Sequence, residues 1–262
     1  MPNSVILWDF EGTLGFRPGN WTGCLMEVLE AYRPGHGVDS EALRPFLQDG
    51  FPWHRPEVGH TELTTADAWW DPIEVLMTRA YEGVGIDRGD AVALAKLARE
   101  RFVNWSIGWQ LFEDTLPVLG ELADHGWRHA ILSNHVPELP ALVDGLGLGD
   151  LVDVVLTSAV IGYDKPHPRA FALALEACGN PDPVWMVGDN PIADVAGAEA
   201  AGIPAIQVRS SSGDFSRRAG DLHQAAVLIG AMPASSVRYA TLTSASNSVI
   251  FGGPGRPASP SP

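Results

Sequence analysis

The stretch Val5-Ile6-Leu7-Trp8-Asp9-Phe10-Glu11-Gly12-Thr13-Leu14 joins an apolar run to two acidic residues and a Gly-Thr pair. A short apolar run that ends at turn residues is typical of a buried strand. In an open α/β sheet, the ligand crevice lies beyond the carboxyl ends of such strands. We therefore expect Asp9 and Glu11 to stand at the mouth of a site, where Gly12 allows the backbone to turn sharply.

Three later segments carry polar residues in comparable positions. Residues 130–134 (AILSN) and 184–191 (VWMVGDNP) are apolar runs that end on polar residues, and Asp194 follows the second. Between them, residues 164–166 (DKP) place a lysine just before a predicted helix. In this order the four segments resemble the four motifs of the haloacid dehalogenase superfamily, and the match spans roughly residues 4–210. The family pattern is Asp-x-Asp-Gly-Thr, then Ser or Thr, then Lys, then Gly-Asp-x-x-x-Asp.

The resemblance implies a phosphatase-like hydrolase in which Asp9 is the nucleophile. A carboxylate nucleophile divides ester hydrolysis into formation and hydrolysis of an aspartyl phosphate. Ser133 and the amides after it are expected to donate hydrogen bonds to the phosphoryl oxygens, and Lys165 to neutralise developing charge. Thr13 and Asn134 are further phosphate-binding candidates, although both residue types are also ordinary at turns and strand ends.

The acidic residues also predict a metal site. Asp9 and Asp189 follow strands that can lie side by side and share one ion, and Mg²⁺ prefers oxygen ligands. The resemblance adds the main-chain carbonyl of Glu11 as a ligand. It places Asp194 either on the metal or beside it, where it would orient a water molecule or Lys165.

Glu11 departs from the family pattern, which has aspartate at this position. In the family this residue protonates the leaving oxygen and then activates water. The extra methylene of glutamate moves the carboxyl by roughly 1 Å, and such a displacement can cost on the order of 10²-fold in rate. Either the site is adapted to the longer side chain or the enzyme is slow. The neighbouring residues show no compensating change in the sequence, which favours an unadapted site in which Glu11→Asp raises turnover.

Alternating strand and helix patterns from Asp114 onward predict a mostly parallel sheet with helices on both faces. Asp114 is placed to cap the first of these helices, and Asn190 to cap a later one. The expected fold class is therefore α/β, with a doubly wound, Rossmann-like core formed by residues 1–14 and 111–230.

Residues 15–110 interrupt this alternation. A simple strand–helix–strand crossover needs roughly 30 residues, whereas here the first two predicted strands are separated by a far longer segment. Apolar residues at helical spacing, such as Trp69, Ile73 and Met77, predict that the excess forms helices. The resemblance implies that this insert is an α-helical cap domain that closes over the active site.

One segment of the insert, residues 51–56 (FPWHRP), supports two interpretations. Two prolines stiffen a loop that carries Trp53, His54 and Arg55. The loop is either a plain surface loop or the part of the cap that recognises the leaving group of the substrate.

Composition limits the possible partners. The formal net charge of −15 argues against a nucleic-acid or anionic-membrane partner, because phosphate groups are met by Lys and Arg. Cys24 and Cys178, the only cysteines, are far apart in sequence and favour a reducing, cytoplasmic setting. No apolar stretch approaches the ~20 residues of a membrane span. Residues 231–262 are rich in Ser, Ala, Pro and Gly with almost no charge, which predicts a disordered tail.

The first hypothesis for function is a Mg²⁺-dependent phosphatase that acts on a small phosphorylated metabolite. A 2-haloacid dehalogenase would also use Asp9, Ser133 and Lys165, but that branch needs no metal and lacks the acid at Glu11. A phosphomutase would transfer the phosphoryl group to a sugar phosphate instead of water. A degenerate member would bind a phosphometabolite with little turnover, and the unusual Glu11 supports that alternative.

Overall fold

The computed structural model describes residues 3–63, 65–209 and 217–230, and the fold is given for these residues. The strands are β1 (Val5–Trp8), β2 (Gly15–Phe16), β3 (Gln110–Leu111), β4 (Arg128–Ser133), β5 (Val154–Thr157), β6 (Val184–Gly188), β7 (Ala205–Val208) and β8 (Arg218–Ala219). Six of them form one sheet in the order β5-β4-β1-β6-β7-β8, and every pair of neighbours is parallel. The predicted α/β fold class is confirmed.

The burial of strand β1 shows that the sheet is covered on both faces. All four of its residues are buried, as expected of a strand with helices on either side. Ile6 and Trp8 pack into one apolar cluster, whereas Val5 and Leu7 pack into a second cluster on the opposite face. This alternation follows from the two-residue period of a strand.

The helices divide between these faces and the insert. They are α1 (Asn20–Tyr32), α2 (Ser40–Leu43), α3 (Ala66–Gly83), α4 (Arg88–Phe102), α5 (Thr115–Asp124), α6 (Leu139–Gly145), α7 (Ser158–Ile161), α8 (Pro168–Ala177), α9 (Gly197–Ala200) and α10 (Leu222–Ile229). Short 3₁₀ turns lie at Arg44–Leu47 and Pro52–His54, and a π-helical segment at Pro191–Ala196 leads into α9. Helices α1, α3 and α4 build the insert, as the apolar stripes predicted.

A two-stranded antiparallel ribbon of β2 and β3 joins the two ends of the insert to the core. The ribbon places Gly15 opposite Leu111, so the chain leaves the core and returns to it at neighbouring points. These strands are two residues long, too short to show any alternation in the sequence.

Asp114 does not cap α5 with its side chain. Its carboxylate instead accepts hydrogen bonds from the Arg209 guanidinium and from the Leu222 amide, 2.8 Å away, so it connects α10 to the start of α5.

The predicted tail at residues 231–262 lies outside the described residues. Among the described helices, none has the length and hydropathy to cross a bilayer.

Candidate active site

The site lies where three neighbouring strands end. Asp9 follows β1, Ser133 is the last residue of β4, and Asp189 follows β6. Because β4, β1 and β6 are adjacent and parallel, their carboxyl ends meet at one edge of the sheet. The sequence prediction that Asp9 and Asp189 lie on neighbouring strands agrees with this order.

The Asp9 carboxylate is held by two donors. Its Oδ1 accepts hydrogen bonds from Ser133 Oγ at 2.7 Å and from Lys165 Nζ at 2.8 Å. Asp9 is buried, with 7% of its surface exposed. Since both bonds go to one oxygen, they fix the orientation of the carboxylate.

Lys165 lies between two acids. Its Nζ is 2.5 Å from Asp194 Oδ1, and the other oxygen of Asp194 accepts a bond from the Asn190 amide at 2.9 Å. Burial by itself lowers the pKa of the Lys165 ammonium, but the carboxylates of Asp194 and Asp9 outweigh that effect and raise it. Lys165 therefore remains charged and is a fixed cation beside Asp9.

Asn134 positions the backbone of Lys165. Its Nδ2 donates to the Lys165 carbonyl at 2.8 Å, and its Oδ1 accepts from the Lys165 amide at 2.7 Å. The amide side chain thus forms both bonds of a clamp between the end of β4 and the lysine loop. Asn134 therefore positions the lysine loop, and it is also one of the residues that line the cavity described below.

Three carboxylates form a compact group that fits a divalent cation. One oxygen each of Asp9, Asp189 and Asp194 lies within 4.8 Å of the other two. Burial, together with the charges of Asp9 and Asp194, raises the pKa of Asp189 to about 7. Burial likewise raises the pKa of Asp194 to about 6, against the influence of Lys165. The excess negative charge and the all-oxygen donor set are what a hard cation such as Mg²⁺ requires.

Gly12 permits this arrangement. Its φ of +83° lies in the left-handed region, and a Cβ at this position would stand 2.7 Å from Asp189 Oδ2. A larger residue would therefore push the Asp189 carboxylate out of the group.

Glu11 faces the same cavity with a strongly altered acidity. Burial, and then the negative charges of Asp9 and Asp189, raise the pKa of its carboxyl to about 8. A hydrogen bond with the Asn20 side chain and the nearby charge of Arg17 partly oppose that rise. Near neutral pH the carboxyl accordingly carries a proton that it can donate.

Thr13 is the predicted site residue that the structure leaves outside the cavity. Its side chain is fully buried, and its Oγ1 has no hydrogen-bond partner. Its carbonyl accepts a bond from Arg209 Nε at 2.9 Å. Thr13 therefore supports the loop after β1 and does not line the cavity with the other candidates.

A cavity of about 390 Å³ lies over the site, between the strand ends and the insert. The insert contributes five of the residues that line it, namely Asn20, Trp21, Trp53, Pro56 and Phe102. Trp53 and Pro56 come from the loop for which the sequence left two interpretations. His54 and Arg55 of that loop do not line the cavity, and Arg55 lies 3.7 Å from Asp49 instead.

Two buried histidines near the site were not identified from the sequence. His135, directly after the Ser133-Asn134 pair, lines the cavity. His60, from the insert, lies 3.0 Å through its Nε2 from Asp164 Oδ2, next to Lys165. The position of His135 directly after the second motif could have indicated that it lies near the site. Nothing in the sequence indicates that His60 pairs with Asp164.

The His60–Asp164 contact yields a prediction about stability. Both side chains are buried, so His60→Ala leaves the Asp164 carboxylate without its partner. We expect the free energy of unfolding to fall by about 2 kcal/mol or more, and turnover to fall with it because Asp164 precedes Lys165. Urea denaturation measures the first effect. The exposed His125 supplies the control His125→Ala, and equal midpoints for both variants would show that the buried contact is dispensable.

Comparisons with known proteins identify the family of this chain. A family model described as haloacid dehalogenase-like hydrolase matches residues 4–202. The human haloacid dehalogenase-like hydrolase domain-containing protein 3 is 35% identical over 209 residues, which cover 76% of this chain and 79% of that protein. A ribulose-1,5-bisphosphate 5-phosphatase from Halopiger xanaduensis is 32% identical over 208 residues, or 78% of this chain and 83% of its own.

The fold of this chain is also similar to that of a solved structure. The magnesium-bound hydrolase YfnB from Bacillus subtilis superposes with a TM-score of 0.69 at 14% identity, over 88% of this chain and 100% of that one. At that identity the likeness concerns architecture alone. The family match over most of the sequence carries the assignment, and the chain belongs to the haloacid dehalogenase-like hydrolases.

Proposed function

We propose that this protein is a Mg²⁺-dependent phosphatase that hydrolyses a small phosphorylated metabolite through an aspartyl-phosphate intermediate. The observation that carries the proposal is the group of Asp9, Asp189 and Asp194 beside Lys165, at the floor of a cavity. A phosphate ester is itself anionic, so its approach to these acids requires positive charge at the site. Bound Mg²⁺ would supply that charge, held by these carboxylates and by the main-chain carbonyl of Glu11.

The residues around Asp9 then have distinct tasks. A carboxylate oxygen of Asp9 attacks phosphorus as the bond to the leaving oxygen breaks. Ser133 and Lys165, whose donors already converge on Asp9, stabilise the phosphoryl oxygens during transfer of the phosphoryl group to Asp9. Glu11 gives its proton to the leaving oxygen.

The second half of the reaction reverses the role of Glu11. Its carboxylate takes a proton from a water molecule, the resulting hydroxide attacks phosphorus, and the bond from phosphorus to Asp9 breaks. Inorganic phosphate leaves, and Asp9 and the protonated Glu11 are restored. The raised pKa of Glu11, about 8, supports the assignment because a general acid must hold its proton near the working pH.

We propose that residues 15–110 act as the cap. Trp70 Nε1 of α3 donates to the Glu138 carboxylate at 3.0 Å, and the Trp105 ring packs on Gly145, at the end of α6. These contacts support a cap that closes against the core through side-chain contacts that can break and form again.

The net charge of −15 and the two free, buried cysteines support a small-molecule substrate and a cytoplasmic setting.

A 2-haloacid dehalogenase is the second candidate, because Asp9, Ser133 and Lys165 would serve it equally. Asp189 and Glu11 favour the phosphatase, since the dehalogenase branch requires no metal and no second acid. The two candidates differ in their need for a divalent cation.

Removal of metal tests the proposal. We expect hydrolysis of phosphomonoesters to stop in EDTA and to return with Mg²⁺. We also expect saturating Mg²⁺ to raise the melting temperature by several degrees, because binding at a hundredfold excess over Kd contributes about 2.7 kcal/mol. Asp189→Asn should abolish that shift, while the exposed control Asp124→Asn should keep it. Full activity after chelation would contradict the phosphatase and favour dehalogenation.

A further inference from the structure

The side of the cavity formed by the insert is aromatic. Trp21, Trp53 and Phe102 line it, and these three residues are called the aromatic wall below. Trp21 and Phe102 stack with ring centroids 3.9 Å apart and planes within 11°. Phe51 stacks on Trp53 with ring centroids 4.7 Å apart and planes within 9°, which holds the Trp53 ring in place. The wall is therefore preformed. Trp21 and Phe102 are buried, partly by their mutual stacking, so the half-buried Trp53 is the ring with the most surface to offer a ligand.

The charges around the cavity are nearly all negative. Lys165 is the one lysine or arginine among the described residues that line it. Its ammonium is already bound between Asp9 and Asp194, and its place is at the phosphoryl end. A carboxylate or second phosphate on the leaving group would lie against aromatic rings with no further lysine or arginine among the lining residues to meet it, which is costly for a buried charge. The guanidinium of Arg17, near Glu11, lies outside the lining and is paired with Glu27.

Two polar groups of the lining have unsatisfied hydrogen-bonding capacity. His135 is buried among Phe10, Phe102 and Trp109, and no side chain of the described residues hydrogen-bonds to its ring nitrogens. Burial lowers the pKa of His135 to about 4, with Asp9 and the Val136 backbone opposing the effect, so its ring is neutral. Asn20 Oδ1 is buried and also lacks a partner.

A neutral ring nitrogen and an amide oxygen bind uncharged hydroxyl or N–H groups, and an unpartnered buried polar atom costs free energy until it is paired. The residues that carry these atoms, His135 and Asn20, are both among those that line the cavity. The lining thus combines stacking surface with hydrogen-bonding groups that suit a neutral ligand.

From these observations we propose that the natural substrate is a phosphomonoester whose leaving group is uncharged, carries an aromatic ring that stacks on the aromatic wall, and offers hydroxyl or N–H groups to His135 and Asn20. The inference rests on the proposed phosphatase function and names its substrate class. It separates this chain from a relative whose name specifies a bisphosphate, where the leaving group is charged.

A matched pair of esters tests the charge. 4-(Hydroxymethyl)benzyl phosphate and 4-carboxybenzyl phosphate have similar size and the same benzylic leaving oxygen, and they differ in one negative charge. We expect kcat/KM with Mg²⁺ to be at least about 30-fold higher for the hydroxymethyl ester, because the carboxylate is buried without a cation. Phosphoglycolate, small and charged, should also be a poor substrate.

A variant of the wall tests the stacking. Trp53→Leu keeps apolar bulk but removes the ring, and we expect about a 10-fold loss in kcat/KM for the hydroxymethyl ester. Methyl phosphate has no ring to stack, so its kcat/KM should fall by a clearly smaller factor than that of the hydroxymethyl ester in the same variant. Trp127, which packs on the core away from the cavity, provides the control Trp127→Leu. Melting temperatures of both variants verify that they are folded.

Two results would overturn the inference while leaving the phosphatase in place. One is hydrolysis of the carboxybenzyl ester or phosphoglycolate at least as efficiently as the neutral ester. The other is an equal loss for methyl and benzylic esters in Trp53→Leu, which would show a general defect and no stacking. Failure to hydrolyse any of the esters, methyl phosphate included, would contradict the proposed function and this inference together.

Discussion

Asp9→Asn is expected to lower turnover by at least ~10³-fold while the protein remains folded. Asparagine has the same shape, and its side-chain oxygen can still accept the bond from Ser133 Oγ. It lacks the negative charge that attacks phosphorus, and it removes one ligand from the carboxylate group. Steady-state rates with a benzylic phosphate measure the loss, and circular dichroism verifies the fold.

The control for Asp9→Asn is Asp124→Asn, which changes an exposed acid at the end of α5. It should retain the rate of the unmodified protein. A folded Asp9→Asn variant that turns over at a comparable rate would refute covalent catalysis at this residue.

Glu11→Gln has the second largest expected effect, a loss of about 10²- to 10⁴-fold in turnover. Glutamine fills the same space but has no proton to give to the leaving oxygen and cannot activate water. Binding of inorganic phosphate should persist, because Asp9, Ser133 and Lys165 remain in place. Calorimetry with phosphate and Mg²⁺ separates the two effects. Equal turnover in Glu11→Gln and the unmodified protein would remove Glu11 from the mechanism.

Glu11→Asp distinguishes an adapted site from an unadapted one. The sequence favoured an unadapted site and hence a gain on shortening the side chain. The structure supplies a compensation that the local sequence did not reveal, since the Asn20 side chain lies beside the Glu11 carboxyl and favours its charged form. We therefore now expect Glu11→Asp to lower turnover, because the shorter acid withdraws from Asn20 and from the leaving oxygen. Rates above those of the unmodified protein would restore the first interpretation.

The floor of the site was predictable because strand ends carry their chemistry in a local pattern. Asp9, Ser133 and Asp189 each follow an apolar run, and the order of neighbouring parallel strands brings such ends together. The role of Asn134 was less visible. Its clamp on the Lys165 backbone depends on a contact between residues 31 positions apart, which no periodicity encodes.

The roof of the site was harder to predict, because it depends on how the insert packs on the core. Trp53 and Trp69 are both aromatic residues of the insert, yet Trp69 is fully buried whereas Trp53 lines the cavity. Helical spacing identified Trp69 as a core residue, but a loop residue such as Trp53 has no period from which its direction can be inferred. His60 presents the same difficulty, since its partner Asp164 lies 104 residues away.

The central claim is that phosphorus becomes bonded to Asp9 during turnover. Acid quenching of the enzyme during steady-state hydrolysis, followed by proteolysis and mass spectrometry, tests it directly. The account predicts that the peptide containing Asp9 gains the mass of one phosphoryl group in the presence of Mg²⁺, and that Asp9→Asn shows no gain. A label on another residue, or rapid phosphate release with the Asp9 peptide unmodified at every quench time, would contradict it.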